Sequence, residues 1–91
     1  MKTAIITITK GSVELGLRLH ERLEGSELFV PEKHREMADG KGTPFAELKG
    51  FVERAFSDYS GLIFIMASGI VVRTIAPFIK GKDVDPAIVV M

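Results

Sequence analysis

Three short runs of this chain have no polar face. They are Ala4-Ile5-Ile6-Thr7-Ile8, Leu62-Ile63-Phe64-Ile65-Met66 and Ala87-Ile88-Val89-Val90. A strand with one face in water alternates apolar and polar residues. A β-branched run that does not alternate fits a strand covered on both faces, as in a parallel sheet lying under helices. A fourth and shorter run, Glu27 to Val30, stops at Pro31. Parallel strands need long crossovers, so the segments between the runs carry the next test.

Those segments read mainly as helices. Lys10-Gly11-Ser12 turns the chain, and Gly11 or Ser12 is placed to cap a helix reaching about Glu24. Leu15, Leu19 and Leu23 recur every four residues, with Glu14 and Arg18 one turn apart on the polar side. The alternation Val13, Leu15, Leu17, Leu19 also fits a strand. Length, leucine content and the charged last turns favour a helix, with Gly25 as its stop. Residues 31–44 are polar, contain Pro31, Gly40, Gly42 and Pro44, and read as an exposed loop. Thr43-Pro44 suits a helix start, and Phe45, Leu48, Val52, Ala55, Phe56 and Tyr59 form one stripe up to the break at Ser60-Gly61. After Ala67-Ser68-Gly69 a helix is expected from about Ile70, disturbed at Pro77 and ended by Gly81. Asp83-Val84-Asp85-Pro86 is a loop before the last strand.

The order β-α-β-loop-α-β-α-β predicts an α/β fold: an open parallel sheet of about four strands with helices on both faces. This is a Rossmann-like three-layer arrangement, and right-handed crossovers give strand order 2-1-3-4. The 91 residues allow a single domain. The run into Met91 without a polar tail reads as the front part of a longer protein.

Composition removes several classes of function. Lys plus Arg and Asp plus Glu both number 12, so bulk charge supports neither a nucleic-acid nor an anionic-membrane partner. With no Cys, disulfides, thiolate metal sites and Cys nucleophiles are excluded. Two His residues do not suggest a multi-His metal site, so neither a metal nor a cofactor is expected. Leu62 to Ile79 is long enough to span a membrane, but Ser68, Gly69, Arg73 and Pro77 interrupt it. A central Arg alone costs about 3 kcal/mol on insertion scales. The apolar run after Met1-Lys2-Thr3 is too short and too β-branched for a signal peptide, and a cytoplasmic setting is expected.

In open α/β sheets ligands bind beyond the carboxyl ends of the strands, where strand order reverses. Two loops meet there, Thr9-Lys10-Gly11-Ser12 and Ala67-Ser68-Gly69, each opening a helix. Helix-start amides bind carboxylate or phosphate, Gly11 and Gly69 allow close approach, and Lys10 and Arg73 add positive charge. The expected binding set is therefore Lys10, Gly11, Ser12, Ser68, Gly69 and Arg73, an anion cradle. The two glycines also suit tight turns, Ser12 and Ser68 read as helix caps rather than nucleophiles, and Arg73 suits an ion pair as well as a ligand. Asp83 and Asp85 are the candidates for acid–base catalysis, although Asp is common in turns. His20 reads as an exposed helix residue, and His34 belongs to a charge run with Glu32, Lys33, Arg35 and Glu36.

The string Gly61-Leu62-Ile63-Phe64-Ile65-Met66-Ala67-Ser68-Gly69-Ile70-Val71-Val72-Arg73-Thr74-Ile75-Ala76-Pro77-Phe78-Ile79 resembles the N-terminal domain of the CbiG family. The resemblance continues through Lys82-Asp83-Val84-Asp85-Pro86-Ala87-Ile88-Val89-Val90, and takes in Ile8-Thr9-Lys10-Gly11 and Phe29-Val30-Pro31-Glu32-Lys33. Ala67-Ser68-Gly69 stands where Ala-Thr-Gly would also suit the family. The resemblance implies a step of anaerobic cobalamin biosynthesis, hydrolysis of cobalt-precorrin-5A to cobalt-precorrin-5B. The δ-lactone opens and a two-carbon fragment leaves as acetaldehyde. It also implies two partners: a cobalt-corrinoid intermediate that carries its own metal, and further domains of the same protein. The alternative is a non-catalytic module that binds the tetrapyrrole or packs between domains. A receiver-like domain would want acidic residues after strands one and three, where Thr9-Lys10 and Ala67-Ser68 stand instead.

Overall fold

The computed structural model describes residues 2–81 and 83–91. Strand β1 (Thr3–Thr7) leads to helix α1 (Lys10–Arg22) and strand β2 (Ser26–Pro31). A 3-10 segment (Glu32–Ala38), strand β3 (Thr43–Phe45), helix α2 (Leu48–Asp58) and strand β4 (Gly61–Ile65) follow. Helix α3 (Ser68–Ile75), a 3-10 turn (Ala76–Phe78) and strand β5 (Ala87–Val90) complete the described order. The strands form one parallel sheet, β3-β2-β1-β4-β5. The class is the expected three-layer α/β fold.

The order differs from 2-1-3-4 by one strand. The four anticipated strands keep their places, and β3 is added outside β2. Thr43-Pro44-Phe45 suits a helix start by composition, but tertiary packing overrides it. Phe45 is buried, and its ring stacks on Phe51 at 5.3 Å. Pro44 lies opposite Val30 on a sheet edge, the position where a residue without N–H is tolerated. The loop expected over 31–44 is thus largely folded. Met37 and Ala38 pack under the sheet, and left-handed Asp39 (φ 49°) and Gly40 (φ 79°) end the 3-10 segment. Helix α3 also starts two residues earlier than expected and stops before Pro77, which lies in the first turn of the 3-10 segment that follows.

The continuous apolar runs are explained by two cores. Ile5, Val13, Leu28, Val30, Ala38 and Ile65 pack on the α1 face. Ala4, Ile6, Phe29, Phe64 and Leu62 pack on the other, against Phe51, Val52 and Ala55 of α2 and Val71 of α3. Successive residues of β1 thus enter opposite cores, and Ala4, Ile5 and Ile6 are fully buried. The run in β5 behaves differently. It forms an outer strand, with Val89 48% and Val90 43% exposed.

Gly16 sets how closely α1 lies on the sheet. A Cβ there would stand 2.8 Å from Thr7 Cγ2 and 2.9 Å from Leu28 Cδ1. Beneath α1, His20 is half-buried rather than exposed, with Nδ1 2.9 Å from Ser26 Oγ. Ser26 spends its single hydroxyl proton on the Leu23 carbonyl, so His20 Nδ1–H is the donor of this pair. At the amino ends of the strands the Tyr59 hydroxyl donates to Glu27 Oε2 at 2.9 Å, and Lys2 Nζ lies 4.9 Å from the Tyr59 ring centre. Burial, then the Glu27 carboxylate, pushes the Tyr59 hydroxyl up to about 12.

Two expectations follow. Gly16→Ala should lower unfolding free energy in urea by about 1–3 kcal/mol, the usual cost of overpacking; a neutral result would show that α1 can lift freely. Because Tyr59 titrates higher in the folded chain, its contribution is complete below pH 10 and is lost as pH rises towards 12. Stability measured against pH should fall across that window, and Tyr59→Phe should make the fall shallower.

Candidate functional site

β1 and β4 lie side by side, with Thr7 opposite Ile65. Beyond these residues the chain leaves in opposite directions. After β1 it enters α1 on one face, and after β4 it enters α3 on the other. The first turns of the two helices therefore stand at the carboxyl ends of the strands, at the reversal point of the sheet, where open α/β sheets place a ligand crevice.

The start of α1 is tied by its own side chains. Thr9, rather than Gly11 or Ser12, is the cap: its Oγ1 accepts from Ser12 N at 3.1 Å. Ser12 Oγ accepts from Ile8 N and Thr9 N, both at 2.8 Å, and donates to the Thr9 carbonyl at 2.9 Å. Ser12 is buried, and its hydroxyl is fully used in shaping the turn. It supports the crevice from below instead of facing a ligand. Among the described residues the Lys10 and Gly11 amides have no acceptor.

The start of α3 is barer. Its cap is Ala67, which has no side-chain acceptor to offer. The Ile70 and Val71 amides reach the Ala67 carbonyl at 3.1 and 3.3 Å, whereas those of Ser68 and Gly69 have no partner among the described residues. Ser68 was expected as a cap, but it occupies the first helical position with its hydroxyl exposed. Neither Gly11 nor Gly69 has a positive φ, and a Cβ at either would meet nothing within 4 Å. Neither backbone strain nor packing calls for glycine at these two positions. Both are bare of side chain where a ligand would come closest.

At the starts of α1 and α3 themselves the charge is positive. No acidic residue stands in the first turn of α1 or α3. Lys10 and Arg73 are exposed and lie in no ion pair among the described residues. Arg73 follows Gly69 by four residues, which puts both on one side of α3, and helical side chains lean towards the amino end. Lys10, Gly11, Ser68 and Gly69 thus stand in the first turns of the two helices, with Ser12 buried in the α1 start and Arg73 about one turn further along α3.

The two aspartates do not join it. Ala87, the first residue of β5, lies opposite Gly61, the first residue of β4, so the turn carrying Asp83 and Asp85 is at the amino ends of the strands. Five-residue strands separate the two ends by about 16 Å. Asp85 is also committed. Its carboxylate accepts from Lys80 N at 3.0 and 3.1 Å and from Gly81 N at 3.1 Å, fastening the loop before β5. Lys82, within the same segment, lies outside the described residues. The carboxylates that share the crevice's end of the sheet are Glu32, directly after β2, and Glu47, the cap residue of α2. Sequence reading grouped Glu32 with a charge run; its position directly after an apolar strand was the signal available. Among the described residues no cluster of His, Asp and Glu could hold a metal, and no helix is long and apolar enough to cross a membrane.

The architecture is that of a three-layer α/β domain with two helix starts at the reversal point of its parallel sheet. Residues 50–91 match the family described as "Cobalamin synthesis G N-terminal". It is 36% identical over 92 residues to the cobalt-precorrin-5A hydrolase of Priestia megaterium and 39% identical over 89 residues to that of Salmonella typhimurium. Each comparison takes in 97% of this chain but 24% of the relative, so the chain spans about a quarter of the length of these curated relatives. No solved structure matches it.

If Gly69 is kept for a ligand and not for the fold, Gly69→Ala should change unfolding free energy by no more than about 0.5 kcal/mol. A loss well above 1 kcal/mol in urea denaturation would make the glycine structural.

Proposed function

We propose that this domain is the substrate-recognition part of a cobalt-precorrin-5A hydrolase, acting in the cytoplasm. The observation that carries the reading is the pair of helix starts at the reversal point. Among the described residues four amides there, those of Lys10, Gly11, Ser68 and Gly69, have no partner, Lys10 and Arg73 on the same helices lie in no ion pair, and neither first turn carries an acid. A corrinoid intermediate carries several carboxylates that are ionised at neutral pH. Amides at helix starts and a guanidinium are the donors such groups need.

The whole reaction opens a δ-lactone with water and releases acetaldehyde. As water attacks the lactone carbonyl, negative charge develops on its oxygen. The Ser68 and Gly69 amides are suited to stabilise that charge without reorganising. Water activation is harder to supply from this chain. Asp83 and Asp85 lie at the far end of the sheet, and Asp85 already holds a loop. This placement, with the chain spanning a quarter of its relatives' length, favours a division of labour: the domain binds and orients the corrinoid, and the base comes from elsewhere in the full protein. The cobalt enters and leaves with the substrate.

Arg73→Ala should weaken cobalt-precorrin-5A binding by about 1.5–3 kcal/mol, roughly 10–150-fold, in an anaerobic titration. Unchanged affinity would reject the cradle. The isolated chain should bind the corrinoid yet release no acetaldehyde; release above a no-protein control would place the chemistry within these residues.

A further inference from the structure

The two edges of the sheet are built differently. β3 is three residues long and carries Pro44 at its centre, which blunts that edge against further pairing. The outer edge of β5 has no such guard: residues 87–91 are Ala-Ile-Val-Val-Met, with no proline and no charge. The amides of Ala87 and Met91 point inwards, to the carbonyls of Ser60 and Phe64 of the β4 segment. Strand amides alternate in direction, so those of Ile88 and Val90 point out of the sheet.

The flanking surface is apolar too. Val89 lies opposite Ile63, which packs into the core on the α1 face. Val89 is nevertheless 48% exposed and Met91 53%. Beside them, Leu15, Leu19, Arg18, Glu21, Arg22 and Met91 line a hollow of about 340 Å³ on the flank of α1. Arg18 and Arg22, one turn apart, have no ion-pair partner among the described residues. Parallel strands in α/β sheets are covered on both faces, and here a strand edge and part of one face are bare together.

We propose that the β5 edge and this hollow seat a strand of polypeptide from the three quarters of the family proteins lying outside the stretch matched here. The strand adds as the sixth of the sheet, pairs with the outward groups of Ile88 and Val90, and places an apolar side chain against Leu15, Leu19 and Met91. The length of the relatives supplies the occupant. A second copy pairing edge to edge would offer only four strand residues from each side, well short of the roughly 1,200 Å² of a stable interface. The proposal rests on the similarity to these longer relatives and on the sheet edge, and is independent of the crevice.

The test compares the isolated chain with a fusion in which it replaces the matching quarter of the Priestia megaterium relative. Amide hydrogen exchange is read at Ile88 and Val90. Both should exchange at least 100-fold more slowly in the fusion, while the isolated chain stays monomeric by sedimentation. Leu15→Lys, on an exposed helix face, should restore fast exchange in the fusion yet leave the isolated chain's stability unchanged; Val89→Lys tests the strand itself. Unslowed exchange, or a fusion that does not fold, would overturn the proposal. So would an isolated chain that dimerises with the same two amides protected, because the second copy would then be the occupant. Corrinoid titration of the same fusion, with and without Leu15→Lys, reports on the crevice separately.

Discussion

Alternate residues of β1 enter opposite cores, Ile5 under α1 and Ala4 and Ile6 under α2 and α3, and none has a face in water. A strand buried on both sides needs a layer above and a layer below. It also needs a neighbour on each edge, because the backbone groups of a buried strand must be paired. β2 and β4 are those neighbours, and the chain reaches them by crossovers on opposite faces. The three-layer plan, and the crevice where the two crossovers part, both follow from the burial of this one strand. Gly16 adds a close fit: it lets α1 approach until a Cβ would touch Thr7 and Leu28.

The non-alternating runs made β1, β4 and the class of sheet legible, because two-sided burial leaves a direct mark on sequence. β3 was not legible. Three residues with a central proline carry no strand signal, and the aromatic packing of Phe45 on Phe51 decides their state. β5 was legible as a strand but not as an exposed edge, since an apolar run does not state what covers it.

The candidate site was legible in its loops and not in its side chains. The positions of Lys10, Gly11, Ser68 and Gly69 follow from topology, which the order of elements supplied. The roles of the hydroxyls did not follow. Ser12 and Thr9 compete for the same cap, and the reciprocal bonds between them settle it with Thr9 as cap and Ser12 turned inwards. The aspartates were ambiguous for a similar reason. A short Asp-X-Asp pattern suits acid–base chemistry and turn formation alike, and only register shows Asp85 holding the amides of Lys80 and Gly81 at the far end of the sheet.

The contrast between the two helix starts carries the functional argument furthest. α1 begins with a reciprocal capping box, so this sequence can build a satisfied helix start. α3 begins one strand away with Ala67 as cap and no acid in its first turn. Placing Ala where Ser, Thr, Asp or Asn would serve typically forgoes about 1 kcal/mol of helix stability. Local rules broken without a structural gain tend to mark sites shaped by ligands. The open space at Gly69 gives no packing reason for the choice, and an anion seated on the Ser68 and Gly69 amides would supply the missing acceptor. Such an anion would complete the helix that holds it, coupling ligand binding to the order of α3.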